Sequence, residues 1–174
     1  MHRLILAALT LVAACAPAPT KTEALRRDGT PMYSNATFDP ARLKGKWVQV
    51  AELASAGARP CSAGGLTVSD VRGSDFTVDA DLCLAGLPAG YAGPGRITGP
   101  GRIRLTAADP EGLGAEWWVL WVDADYRTIV IGTPSGKFGM ILNRSADLPP
   151  DRLAAAKEIL DWNGYNTARL RPVG

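Results

Sequence analysis

Histidine is nearly missing from this chain: the only one is His2. Without a histidine in its body, the protein cannot run a Ser-His-Asp or Cys-His mechanism, and it lacks the usual nitrogen ligand of a zinc site. No G-x-S-x-G occurs. Gly132-Thr133-Pro134-Ser135-Gly136-Lys137-Phe138 approaches a phosphate loop, but its glycine spacing is one residue short and Phe138 stands where Ser or Thr would meet magnesium. It reads as a hairpin turn. Blocks of like charge are also missing, and 19 basic against 17 acidic residues leave a net +2. A nucleic-acid or polyanion partner therefore has no electrostatic support. Nothing in the pattern calls for a cofactor or a metal.

The longest apolar run, Leu4–Ala14, is too short for a membrane-spanning helix, which needs roughly 20 residues. It follows Arg3 and precedes Cys15, the charge-then-apolar order of an export signal. Leu11-Val12-Ala13-Ala14-Cys15 resembles the bacterial lipobox. That resemblance implies a signal peptide over 1–14 and an acylated Cys15. With Ala16 next, it implies delivery to the outer membrane of a bacterial envelope, facing the periplasm. An ordinary secretory signal cut near Ala16 or Ala18 is the alternative. Residues 15–37 are rich in Pro, Ala, Thr and charge without apolar periodicity, so we expect a lipidated flexible tether there. Residues 38–174 suffice for one domain with a real core. In an oxidising compartment Cys61 and Cys83 are expected to form a disulfide contributing roughly 3 kcal/mol; a catalytic thiol or metal pair is the alternative.

From Gly45 onward, short β-favouring runs alternate with Gly, Pro, Asp and Ser. The candidate strands are about 45–53, 66–71, 75–83, 95–99, 101–107, 116–123, 127–133 and 137–144. Eight strands close a small antiparallel barrel, which removes exposed edges. One helix follows: Pro149-Pro150-Asp151 opens it, Asn163-Gly164 closes it, and Leu153, Ala156, Ile159 and Leu160 form its apolar stripe. The barrel's outer wall is its expected partner, and an extended tail over 167–172 can lie back on the sheet.

Eight strands, a late helix and a terminal extended segment, in this order, resemble a lipocalin. Gly45-Lys46-Trp47 matches the family's G-x-W. Asp125-Tyr126 matches most of its T-D-Y, with Ala124 where threonine is usual, and Arg144 matches the arginine of its third motif. The stretches 38–47 and 140–150 look like the bacterial lipoprotein lipocalins and their apolipoprotein D-like relatives. The resemblance implies an all-β, eight-stranded up-and-down barrel with one C-terminal helix packed outside. It also implies that Arg144 covers the Trp47 indole at the closed end, a cation–π contact worth about 0.5–2 kcal/mol.

Alternation propagated from Trp47 and Arg144 puts Gln49, Ala51, Leu53, Met140 and Leu142 on the inner side. On the sixth strand, period two sets Trp118 and Leu120 against Trp117 and Trp121, and alternation alone does not decide which pair faces inward. We assign Trp118 and Leu120 to the cavity, with Ala51, Leu53, Met140 and Leu142, and place Trp117 and Trp121 under the helix. Short, glycine-studded fourth and fifth strands are expected to leave a modest cavity, its mouth framed by mobile segments 54–64 and 84–94. Asp125 is expected to hydrogen-bond the turn it ends. The function expected is that of a non-enzymatic, membrane-tethered calyx for a fatty acid, lysophospholipid or similar apolar molecule. A calycin-like enzyme using Asp123, Asp125 or Glu116, and a structural barrel filled by its own side chains, are the alternatives.

Overall fold

The computed structural model describes residues 24–110 and 112–174; Cys15 and the expected signal peptide lie outside them. A 3-10 turn (Pro40–Leu43) leads into eight antiparallel strands: β1 (Gly45–Leu53), β2 (Gly65–Arg72), β3 (Asp75–Leu84), β4 (Leu87–Gly99), β5 (Arg102–Leu105), β6 (Glu116–Val122), β7 (Thr128–Gly132) and β8 (Gly139–Asn143). Each pairs with its neighbour in sequence. β1 then closes the ring, pairing with β8 through Val48–Glu52 and with β2 through Gly45–Trp47. After the helix α1 (Pro150–Trp162), the short β9 (Leu170–Pro172) adds to β1 at Ala51–Leu53, beyond the point where β2 stops pairing with it. The expected barrel, external helix and returning tail are all present.

The fourth strand corrects the expectation for 84–94. Glycines and prolines made that stretch look like a loop, yet β4 starts at Leu87 and pairs with β3 from Leu84↔Leu87 to Asp75↔Arg96. Its turn residues Ala85 and Gly86 have φ of 55° and 89°. Positive φ at both positions gives the tight turn whose twist suits a hairpin. β5 pairs only with Gly95–Gly99, so the first half of β4 is an edge, where Pro88 is tolerated.

Within the stretch expected as a tether, 15–37, the described residues begin at Ala24. Residues 24–39 strap the outside of the barrel: Asn166 N–H donates to the Leu25 carbonyl (2.9 Å), Arg27 N–H to Gly164 (2.9 Å) and Asn35 N–H to Val119 (2.7 Å). Leu25 is buried and Met32 packs beside the same cluster, apolar anchors too few to register as periodicity.

Two apolar clusters organise the molecule. One fills the barrel, with Trp47, Val68, Val78, Leu105, Trp117, Phe138 and Met140 among its members. The other lies between the wall and the helix, where Ala156 and Leu160 are fully buried against Ala51, Leu53, Leu120, Val130, Ile141 and Tyr165.

Candidate functional site: the barrel interior and its mouth

Two bulges decide which side chains face the interior. On β1 the register shifts between Gln49 and Ala51, so Gln49 opposes Leu142 and Glu52 opposes Met140 on the inner face, while Ala51 opposes Ile141 on the outer one. On β6 the shift falls between Val119 and Trp121. Trp117 and Val119 point inward, and Trp118, Leu120 and Trp121 face the helix side. Four cavity assignments are therefore corrected: Ala51, Leu53, Trp118 and Leu120 lie outside the barrel. Trp117, expected under the helix, is inside it, whereas Trp121 is on the helix side. On β1 the physical reason is the bulge, because one extra residue inverts the alternation beyond it. On β6 the bulge comes after Trp117 and Trp118 and accounts only for Trp121 lying on the side opposite Trp117, while the pairing of β6 within the closed ring turns Trp117 inward. Met140 and Leu142 are interior and almost fully buried.

One end of the barrel is shut. Trp47 is fully buried and donates its indole N–H to the Leu43 carbonyl at 2.7 Å. The Arg144 guanidinium lies 3.6 Å from the Trp47 ring. It donates to the carbonyls of Arg42 (2.7 Å), Lys46 (3.0 Å) and Tyr126 (3.3 Å), and burial lowers its pKa. Tyr126 sits at φ 56°, accepts the Asp39 N–H at 2.6 Å and packs against Phe38 and the Arg42 guanidinium. The turn itself is held by Asp123 rather than Asp125. Asp123 accepts the N–H groups of Arg127 and Thr128, both at 2.6 Å. Burial alone would raise its pKa, but these bonds and the Arg127 charge outweigh it and hold the carboxyl below its ordinary value. Asp125 is exposed and reaches only Arg127, at 2.9 Å.

The interior between the two ends is packed. Its remaining cavity is about 20 Å³, lined by hydrocarbon from Leu66, Val68, Phe76, Leu105, Ile131 and Leu142 together with the Trp117 indole. That is close to the space of one water. Phe138 closes the other end, edge-on to Trp117 with ring centroids 5.7 Å apart. Above Phe138 the mouth opens as a depression of about 300 Å³ between the β3–β4 turn and the loops that join β5 to β6 and β7 to β8, lined by Leu84, Leu87, Pro88, Ala89, Lys137 and Phe138.

The mouth is braced on two sides. Cys61 and Cys83 are disulfide-bonded, as expected, tying the β1–β2 loop to the end of β3. Beside them Gln49 acts as a piece of backbone: its amide donates to the Cys83 carbonyl (2.8 Å) and accepts the Cys83 N–H (2.7 Å). Glu52, fully buried, accepts the Gly86 N–H at 2.8 Å and two bonds from Arg171 at 2.8 and 3.1 Å. Arg171 also donates to the carbonyls of Ala58 and Arg59. One ion pair thus joins β1, β9, the β3–β4 turn and the β1–β2 loop. Opposite, the Tyr165 hydroxyl lies within donating distance of the Phe138 (2.9 Å) and Thr133 (3.0 Å) carbonyls and accepts the Thr133 N–H (2.7 Å). A Cβ at Gly132 would meet this hydroxyl at 2.5 Å, so the close approach requires glycine there.

Sequence reasoning missed Glu52, Arg171, Tyr165 and Phe138. A carboxylate between Ala51 and Leu53 in an apolar strand was the available signal for Glu52. The others had none, since their partners are distant in sequence. The three acids weighed for catalysis all lie away from the cavity. Glu116 faces the outer wall, where burial would raise its pKa but bonds from Trp118 and Thr98 and the charges of Arg104 and Arg102 lower it. Among the described residues no group of His, Cys, Asp and Glu is arranged to hold a metal ion. No described helix is long and apolar enough to cross a membrane.

No curated protein sequence matches the chain. Residues 92–174 match the family model described as a lipocalin-like domain. Among solved structures, lobster apocrustacyanin A1 is similar at a TM-score of 0.55 and 15% identity, over 78% of each chain. Apocrustacyanin C2 is similar at 0.53 and 16% identity, over 76% of this chain and 77% of that one. At such identity the likeness carries the fold alone. The chain has the lipocalin fold, and the match over its second half supports the lipocalin family.

Proposed function

We propose that the protein is a non-enzymatic, membrane-tethered carrier that takes a fatty acid, lysophospholipid or similar apolar molecule into its barrel for storage, salvage or transfer in a bacterial envelope. The observation that carries this reading is the interior itself: a closed barrel whose internal cavity is lined by hydrocarbon and the Trp117 indole, with a largely apolar depression above Phe138. Its binding energy would come from apolar area removed from water, about 25 cal/mol per Å². Entry requires Phe138 to turn outward, because ligand pockets occupy about 300–1,000 Å³ and the closed cavity holds about 20 Å³.

The tether is the second part of the reading. Arg26 packs on the β7–β8 turn at the mouth, with its side chain donating to Pro134 and its Cβ beside Gly136. The strap is described from Ala24, nine residues on from Cys15. An acyl group on Cys15 would hold the mouth within ~30 Å of a membrane, the reach of nine extended residues. Mutating Cys15→Ser in the full chain should move the protein from the membrane to the soluble fraction; retention in the membrane would overturn the tether.

Titrating the delipidated protein with cis-unsaturated fatty acids and lysophospholipids tests the carrier. Tryptophan emission should change and saturate at one ligand per chain, since Trp117 lies directly beneath the entry. Unchanged emission, with no lipid extractable from purified protein, would overturn the carrier. The packed interior would then favour a structural barrel filled by its own side chains.

A further inference from the structure

Trp117 carries the one buried side-chain polar atom among the described residues that has no hydrogen-bond partner, its indole Nε1. The tryptophans at 47 and 118 each have an acceptor, the Leu43 carbonyl and the Glu116 carboxylate. Trp117 is 2% exposed, borders the interior cavity and packs against Phe138, the side chain that a ligand must displace. A buried donor without an acceptor destabilises the protein that holds it, and whatever supplies the acceptor recovers that free energy.

Neither the protein nor water supplies it well. The other polar groups facing inward are already engaged: Gln49 with both backbone groups of Cys83, and Glu52 with Gly86 and Arg171. A water in the cavity would need two to four polar partners, and every other lining side chain is hydrocarbon. A carboxylate is no better suited, because no lysine or arginine lines the cavity or is buried among the described residues, and one neutral donor does not offset the desolvation of a charge.

We propose that the Trp117 indole N–H sets the specificity of the barrel, selecting apolar molecules that carry an uncharged oxygen acceptor, a carbonyl or ether, part-way along a hydrocarbon chain. This rests on the reading of the barrel as an apolar carrier. The charge of any head group then stays in the mouth, above Phe138, and the chain runs past Trp117.

The test uses the full-length protein, delipidated and labelled with ¹⁵N at its tryptophan indoles, with three probes: a long-chain ester whose ester group lies in mid-chain, the alkane of matched length and the free acid of matched length. The ester should bind roughly tenfold more tightly than the alkane, the increment of one hydrogen bond. It should also move the Trp117 indole resonance downfield, and Trp117→Phe should bind ester and alkane alike. If ester and alkane bind equally to the wild type and the indole resonance stays in place, the donor role is overturned while the apolar carrier stands. Tighter binding of the free acid with a moved indole overturns the preference for an uncharged acceptor. Binding of none of the probes overturns both readings. Should Trp117→Phe fail to fold, the wild-type ester-to-alkane ratio and the indole shift decide the question.

Discussion

Tyr165 shows how much one side chain can hold in place. Its hydroxyl ties the chain after the helix to both ends of the β7–β8 turn, and so fixes the backbone of Phe138 at the mouth. Burial pushes its pKa up to about 12. A phenol whose folded pKa is raised stabilises fully below its unfolded value of about 10 and loses that contribution as pH climbs from there to the folded value. We predict that urea denaturation of wild type and Tyr165→Phe as a function of pH will give a difference that is flat below pH 10. Between pH 10 and 12 the wild type should lose about 3 kcal/mol that the variant does not lose. The role was not legible in advance, because the sequence places Tyr165 beyond a helix and says nothing of its distance from Thr133. Trp47 and Arg144 were legible through the lipocalin resemblance, since each stands in one of the family's motifs and the resemblance implies their contact.

At the scale of elements, β9 is three residues long and pairs with β1 over Ala51–Leu53, yet it delivers Arg171 to the buried carboxylate of Glu52. Removing one partner of a buried ion pair leaves an uncompensated charge. Arg171→Ala should therefore cost about 3 kcal/mol in chemical denaturation, and Glu52→Gln combined with Arg171→Ala should recover part of that loss. Hydrogen exchange should show the damage first in the β1–β2 loop and the β3–β4 turn, which receive bonds from the same pair. Equal stability of Arg171→Ala and wild type would show that β9 is held by its backbone alone. The strands were legible to within a few residues except β4. There, cross-strand pairing with β3 overrides the local preference of glycine and proline for loops.

Across the whole molecule, the closed end is sealed by Arg144 and Tyr126 while the mouth is braced by the disulfide and the Glu52–Arg171 pair. Reducing Cys61–Cys83 releases a loop of 22 residues' separation, which should lower stability by about 3 kcal/mol. For a domain of this size that is a fall of roughly 6–12 °C in the melting temperature. The barrel should persist at room temperature, because its ring of strands closes independently of the bond. Loss of the sheet's far-UV circular dichroism on reduction at 25 °C would contradict that.

Sequence alone determined the strand-turn rhythm, the single late helix with its stripe of Ala156 and Leu160, the Trp47–Arg144 pairing and the disulfide. These depend on local periodicity, on turn chemistry and on short motifs, all of which are written along the chain. Tertiary structure decided which tryptophan faces the cavity, how full the barrel is and where the strap lies. The β1 bulge adds one residue and reverses the alternation past it, so Ala51 and Leu53 turn out. The β6 bulge puts Trp121 on the side opposite Trp117, while the register of β6 in the closed ring turns Trp117 inward and Trp118 and Leu120 out. Only the closure of eight strands around a common core fixes where those extra residues are accommodated.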